Sequence, residues 1–414
     1  MAFTFKKYAA LTTALVCTMS LAGCADSGYM GTIDGMEIRN GIYLSNMITA
    51  YNKGYSSVIE AKEELGETSE ITDFFAENIE GENAEEWIKN EAIELTKRFV
   101  AVEKLFEAKG LELPAEDINS VSDGVNENWE TDTIYYYYYN SPRFLDSMLD
   151  YSTIGEYYEA IGIGKETLKE IYLNQLKEDQ IFLEIYTKED ETKIPEDEIN
   201  SYLKDNYANV KYIEVPYEDM AGINLDAEKD ADEIATLKET AKSYVDRFNA
   251  GESIIDLVYE QDLINAQNEA MLDAETALEA DDAEQPEDFD AYMEEAKNSA
   301  TAEKAETVEE LETIISKESS SLSEELTEFI WKTADDGKAY YCEGKQSAYL
   351  IIREDITTKE QWKENNQIYI ISQITGDSFD EYIEAAYAEY EVNFDQQQLN
   401  KYAPSKYKGF ETTN

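Results

Sequence analysis

One run of residues limits the fold more than any other. Val210 to Val215, reading VKYIEV, is rich in β-branched and aromatic residues and is closed by Pro216, in a chain otherwise written mostly in helical periods. Such side chains suit a pleated, half-buried surface, and proline cannot donate to a ladder, so the run predicts a strand ending at Pro216. Two further strands are predicted at Ala339–Cys342 and Ala348–Ile352, around the turn residue Gly344. The expected fold class is therefore α+β, predominantly helical.

The helical segments are legible from spacing. Ile88, Ala92, Leu95, Phe99, Val102 and Phe106 recur at intervals of four and three, which predicts a helix over Ala84–Lys109 with Gly110 in the C′ position. Pro114 and the acids after it open another helix over Ala115–Trp129. From Lys165, the residues Leu168, Ile171, Tyr172, Gln175, Leu176 and Asp179 define one predicted helical face, continued by Phe182, Leu183 and Tyr186. Pro195 starts a compact helix carrying Ile199, Tyr202 and Leu203. Ala241, Tyr244, Val245 and Phe248 mark another before Gly251, Leu322–Trp331 reads as helix, and Phe379, Tyr382, Ile383, Ala386 and Tyr390 mark a C-terminal one. Near the N-terminus, Asp34-Gly35 reads as a hairpin turn leading into a helix with Ile42, Met47 and Ile48.

Charge and composition remove several function classes. The chain carries 34 basic and 91 acidic residues and no histidine, a net charge of −57. Such a surface repels nucleic acid and anionic lipid, so no nucleic-acid partner is expected. Without histidine there is no Ser-His-Asp triad, no Cys-His pair, no histidine-bound zinc and no imidazole general base. No cofactor and no metal site are expected. Glu269 to Glu312 holds seventeen acids against two lysines, and the aspartates there form no EF-hand loop with its glycine and closing glutamate. That composition predicts a solvated helix or a disordered insertion.

The first residues carry an address. Lys6 and Lys7 precede an apolar stretch, Tyr8 to Leu21, too short to span a bilayer comfortably, and Leu21-Ala22-Gly23-Cys24 matches the bacterial lipobox. The alternative is a secretory signal whose cleavage site happens to hold a cysteine. Cleavage before Cys24 removes Lys6 and Lys7, which takes the net charge from −57 to −59, and removes Cys17. With Cys24 lipidated, Cys342 is left as the one thiol. Several acyl chains on one residue anchor firmly, whereas one binds marginally. The expected location is the outer face of a bacterial cell membrane, lipid-anchored through Cys24.

Tyr135, Tyr136, Tyr137, Tyr138 and Tyr139 stand in one run among 31 tyrosines. Neither a helix nor a strand can turn all five rings inward. They are either half-buried rings with phenols reaching water, or an adaptable aromatic surface for binding client polypeptide.

Three stretches together resemble the foldase lipoproteins of the PrsA and SurA type. "GTIDGMEIRNGIYLSN" is similar to that family's opening turn and helix. "IGIGKETLKEIYLNQLKEDQIFLEIYTKEDETKIPEDEINSYLKDNYANVKYIEVPY" is similar to its helix pair running into the first parvulin strand, and "SAYLIIRED" to the closing parvulin strand. The resemblance implies a signal peptide over 1–23, a SurA-N-like helical chaperone module over 24–205, and a small parvulin-like prolyl-isomerase domain over 206–356. The acidic insertion at about 265–312 would interrupt that domain. A C-terminal helical segment over 357–414 would pack back on the helical module. In parvulins the first strand bears a histidine before its aliphatic run, where this chain has Tyr212. The closing strand has a histidine where this chain has Tyr349. These two tyrosines are either strand aromatics filling the sheet core or hydrogen-bonding groups in a pocket.

The function implied is a membrane-anchored extracytoplasmic chaperone or foldase for secreted proteins, with weak or absent prolyl-isomerase activity. Its partners would be unfolded or partly folded secreted polypeptides. Two alternatives stand: an active isomerase with an atypical site, and a solute-binding lipoprotein of a transporter, a class that shows strand–helix alternation across two α/β lobes. Cys24→Ala is expected to release the protein from the membrane fraction or leave it unprocessed, read by fractionation and blotting. Normal processing with full membrane retention would refute the lipobox reading.

Overall fold

The computed structural model describes residues 28–66, 71, 73–133, 150–189, 192–219, 222–278, 286, 288–318 and 322–406. Residues 1–27, Cys24 among them, and Tyr135 to Tyr139 lie outside them. The chain divides into two units, Met1–Lys193 with Gly376–Asn414, and Ile194–Thr375. Both are built mainly of helices with small antiparallel sheets.

The first unit opens with the expected hairpin of β1 (Tyr29–Ile33) and β2 (Met36–Arg39). Its turn places Asp34 and Gly35 at φ 45° and 83°, the positive pair that a two-residue turn between right-twisted strands requires. α1 (Asn40–Glu64) follows, then the short hairpin β3 (Asn78–Ile79) and β4 (Glu82–Asn83), then α2 (Ala84–Lys109). The Asn83 side chain accepts from Glu85 N at the start of α2, and Gly110 ends it in the left-handed conformation. The predicted stripe of α2 is the buried one: Ile88, Ala92 and Phe99 share a core with Met47, Tyr51 and Val58 of α1. Gly54 allows the close approach, since a Cβ there would lie 2.9 Å from Ile79 Cδ1 and 3.0 Å from the Trp87 ring. Each fully buried aliphatic or aromatic side chain in this core contributes about 1.5–3 kcal/mol.

α3 (Ala115–Trp129) and α4 (Ile154–Ala160) come next, then α5 (Lys165–Leu183), whose orientation departs from the spacing argument. Its buried residues are Thr167, Asn174, Ile181 and Phe182, while Tyr172 is exposed. The reason is a polar interface with α2. Asn174 Nδ2 donates to Phe99 O at 3.0 Å and to Glu103 Oε1 at 2.9 Å. Lys177 Nζ meets Glu103 Oε2 at 2.6 Å, and Arg98 meets Glu178 at 2.5 Å. An apolar-period search cannot find a face that packs through amides and ion pairs.

The second unit begins with α6 (Glu196–Asn206), which runs into β5 (Tyr207–Pro216). α7 (Ala231–Asn249), α8 (Ile254–Leu278) and α9 (Phe289–Ser299) follow. Then come β6 (Thr313–Ser316), α10 (Glu324–Lys332), β7 (Asp336–Glu343), β8 (Ser347–Glu354), α11 (Glu360–Asn365) and α12 (Gln367–Thr375). The strands form one antiparallel sheet in the order β6-β5-β8-β7. Ile213, Val215, Leu350 and Ile352 face α7 and the first turns of α8, where Ala241, Tyr244, Ile254 and Leu257 complete a core. Val210, Cys342, Tyr349 and Ile351 face α10 through Leu326 and Ile330. Beyond Gln261, α8 buries no further residue, and α9 buries none; Tyr292 OH donates to Ala274 O at 3.5 Å where the two helices meet. The acidic segment thus forms solvated helix up to Leu278 and over Phe289–Ser299, as the first of the two expectations had it, while its described residues 300–308 are not helical.

After Thr375 the chain returns to the first unit as α13 (Ser378–Tyr387), β9 (Val392–Phe394) and α14 (Gln396–Lys401). Phe379 packs edge-on to Phe182 at 5.0 Å, and Asp380 pairs with Arg98 at 2.7 Å. β9 pairs antiparallel with β1, giving a sheet in the order β2-β1-β9 that the sequence did not predict. No described helix is long and apolar enough to cross a membrane.

One buried charge ties the second sheet together. Lys211 on β5 is 3% exposed, and its Nζ lies 2.6 Å from Glu354 and 3.3 Å from Glu312; Lys359 also reaches Glu312, at 2.5 Å. Burial pushes the Glu312 carboxyl up, but hydrogen bonds and charge from Lys359 and Lys211 outweigh this and hold it below its ordinary value of 4.5. A depressed folded-state pKa gives stability that is full above the unfolded value and lost as pH falls through the folded one. Glu312→Ala is expected to destabilise the second unit by about 3 kcal/mol near neutral pH, because the buried Lys211 loses one of its two carboxylate partners. The difference from wild type should shrink below pH 4.5, as checked by urea unfolding across pH.

Candidate functional site

The α10 face of the second sheet is where the sequence placed its candidate groups. β5 and β8 pair over eight residues, with Tyr212 opposite Ile351, Glu214 opposite Tyr349 and Pro216 opposite Ser347. Alternation therefore puts Tyr212, Glu214, Tyr349 and Ile351 on one face, with the two tyrosines diagonal to each other. α10 lies over part of this face because it is strongly capped: Ser323 Oγ accepts from Leu326 N, Glu324 and Glu325 fill the first turn, and Lys332 the last. At its C-terminal end the buried Arg353 guanidinium donates to Ile330 O at 3.2 Å and Thr333 O at 3.3 Å, and sits 5.1 Å from the Trp331 ring centroid. Burial holds the Arg353 pKa below its usual value.

Leu326 and Ile330 fill the sheet beside Tyr212 and Tyr349, so both tyrosines take part in a packed apolar layer. The far end of the face stays open at Glu214, which is exposed. There Glu214 Oε1 accepts two hydrogen bonds, from Ser347 Oγ at 2.6 Å and from Tyr349 OH at 3.0 Å. Burial raises the Tyr349 pKa, and the Glu214 charge adds to the rise, so the phenol keeps its proton near neutral pH. Cys342, paired with Tyr349 on the neighbouring strand, is buried, and burial with the charges of Glu325 and Glu343 pushes its thiol up to about 11. The face therefore offers neither a thiolate nucleophile nor an imidazole base. The Ser347 and Tyr349 hydroxyl protons are committed to the Glu214 carboxylate, and what the face can present to a ligand is apolar surface, a carboxylate rim and the half-buried Tyr212.

No family model matches this sequence, and no curated protein matches it. Solved structures similar to it include two PrsA proteins. One is PrsA from Bacillus subtilis, at 12% identity over 76% of this chain and 90% of that one, with a TM-score of 0.28. The other is foldase protein PrsA from Streptococcus pneumoniae, at 15% identity over 78% of this chain and 90% of that one, with a TM-score of 0.27. Neither likeness adds to what the strands and helices themselves show.

Of the sequence-predicted groups, Tyr212 and Tyr349 come onto one face, while Cys24 and Tyr135 to Tyr139 lie outside the described residues. Glu214 and Ser347 were missed. Strand alternation alone puts Glu214 on the Tyr212 side, but Ser347 is 133 residues away, and only the β5–β8 register joins them. Among the described residues no group of three or more Cys, Asp or Glu side chains is placed to hold a metal ion. In the mature chain carrying Cys24→Ser, Cys342 is expected to resist an aromatic disulfide reagent at about pH 8, where a free thiol of pKa about 8.5 reacts readily. It should react at once in guanidinium chloride. Rapid labelling of the native protein would show that the α10 face opens.

Proposed function

We propose that this chain is a membrane-anchored extracytoplasmic chaperone or foldase acting on secreted polypeptides, with a degenerate parvulin-like domain and little or no prolyl-isomerase activity. The parvulin-like part spans 206–356, interrupted by the acidic segment at about 265–312, and the helical module over 24–205 is completed by the C-terminal segment. Cys24 carries the anchor, and the Tyr135 to Tyr139 run offers aromatic surface to clients.

The observation that carries the reading is the occupation of the Tyr349 phenol. Rotation about an X-Pro bond has a barrier of about 18–20 kcal/mol, and an enzyme lowers it by favouring the twisted amide through desolvation and well-placed hydrogen bonds. Tyr349 OH and Ser347 Oγ both donate to Glu214, so these two donors are taken and Tyr212 is the one candidate phenol of the pair left to serve a twisted amide. Tyr212 and Tyr349 share their layer with Leu326 and Ile330, which suits them to packing. The mixed fold, helices with one four-stranded antiparallel sheet in the second unit, runs against the two α/β lobes of the solute-binding alternative.

With the mature protein present, a proline test peptide is expected to keep its uncatalysed relaxation of about tens to hundreds of seconds. The same preparation should slow the aggregation of an unfolded client, followed by light scattering. Fast isomerisation that disappears in Tyr212→Phe or Tyr349→Phe would overturn the non-catalytic reading and make the phenols working groups.

A further inference from the structure

On the opposite face of the second sheet, a cleft of about 430 Å³ lies between the end of β5, α7 and α8. Its apolar lining comes from Val215 and Pro216 at the end of β5, Leu237 of α7, and Ile264 and Leu272 of α8. Ile264 is 37% exposed on an otherwise structured helix, so part of that apolar surface meets water. Gln261, Asn265 and Asn268 lie along the same side of α8. Gln261 is anchored, with its Oε1 accepting from Tyr244 OH at 3.3 Å and its Nε2 donating to Asn265 Oδ1 at 2.9 Å. Those bonds leave the Asn265 amide nitrogen and the Asn268 amide facing no described partner. Apolar walls with a few convergent amides are the usual make-up of a ligand cleft, and side-chain amides can donate to and accept from an extended backbone.

The charge of the cleft is one-sided. Glu218, Asp219 and Glu269 line it, and no lysine or arginine does among the described residues. A ligand that buries apolar groups there must do so beside three carboxylates, which favours cations and repels anions.

We propose that this cleft binds an extended polypeptide segment in which aliphatic residues alternate with lysine or arginine. The aliphatic side chains occupy the surface made by Leu237, Ile264 and Leu272. The amides of Asn265 and Asn268 bond the backbone, and Glu218 and Glu269 hold the flanking cations. The site lies on the face of the sheet away from Tyr212 and Tyr349, so it is separate from the isomerase-like face. It deepens the chaperone reading by naming the client chemistry, and it rests on that reading.

The test uses the full mature chain carrying Cys24→Ser and a fluorescent peptide of alternating lysine and leucine, followed by anisotropy. Binding is expected, with loss when glutamate replaces lysine and loss when serine replaces leucine. Ile264→Ser and the pair Glu218→Gln/Glu269→Gln should each weaken binding by about fivefold or more, while Glu63→Gln/Glu64→Gln in the first unit leaves it within about twofold. Asn268→Ala should weaken binding without moving the thermal melt. Equal weakening by the Glu63/Glu64 pair would mean diffuse attraction to an acidic surface and would overturn the site, as would full affinity in Ile264→Ser. Absence of peptide binding in a protein that still slows client aggregation would overturn the cleft alone; failure of both assays would remove the chaperone reading with it.

Discussion

The second unit depends on a strand that has to be buried on both faces. β5 is hydrogen-bonded to β6 on one side and β8 on the other, with α7 and α8 covering one face and α10 part of the other. Seven of its ten residues are buried, Asn209 and Lys211 among them. A lysine at that depth is tolerable only with partners, and Glu354 and Glu312 supply them from β8 and from the residue just before β6. The same ion group therefore ties three strands together and marks where the solvated acidic helices rejoin the sheet. Apolar burial gives this unit its stability, while the Lys211 group restricts the register in which that burial can occur.

The α10 face follows from the same strand. Tyr212 and Glu214 lie on it by alternation, and the register with β8 brings Tyr349 opposite Glu214 and Ser347 within reach. The carboxylate gathers both hydroxyl protons, and the thiol of Cys342 stays protonated behind α10. A face arranged in this way holds Ser347, Tyr349 and Cys342 to their present partners and protons. The opposite face is different in kind, with amides and partly wet aliphatic side chains lining a cleft beside α7 and α8.

What could be read in the sequence was whatever depends on neighbours a few residues away. The span of α2 follows from its stripe and from Gly110, and β5 from its β-branched run before Pro216. The buried Asn174 of α5 lies off the predicted face because it and Lys177 pack against α2 through polar bonds, a pattern with no apolar period. β6 and β9, of four and three residues, are too short to alternate convincingly and are strands only because β5 and β1 hold them. Glu214 and Ser347 belong to one site through register across a long separation, which no local spacing can encode.

The return of the chain to its first unit sets an order of events during synthesis. Gly31 of β1 pairs with Phe394 of β9, and the whole of Ile194–Thr375 lies between them. A chain that emerges from its N-terminus has all of the second unit available before the third strand of the first sheet exists. Collapse of that unit takes about half of the intervening chain out of the loop that β1 and β9 must close, worth about 0.6 kcal/mol of closure entropy. Until then β1 has one edge without its strand, the kind of edge that recruits other chains. The nascent protein thus carries, for the last part of its own elongation, an unfinished sheet of the sort that holdases exist to shield.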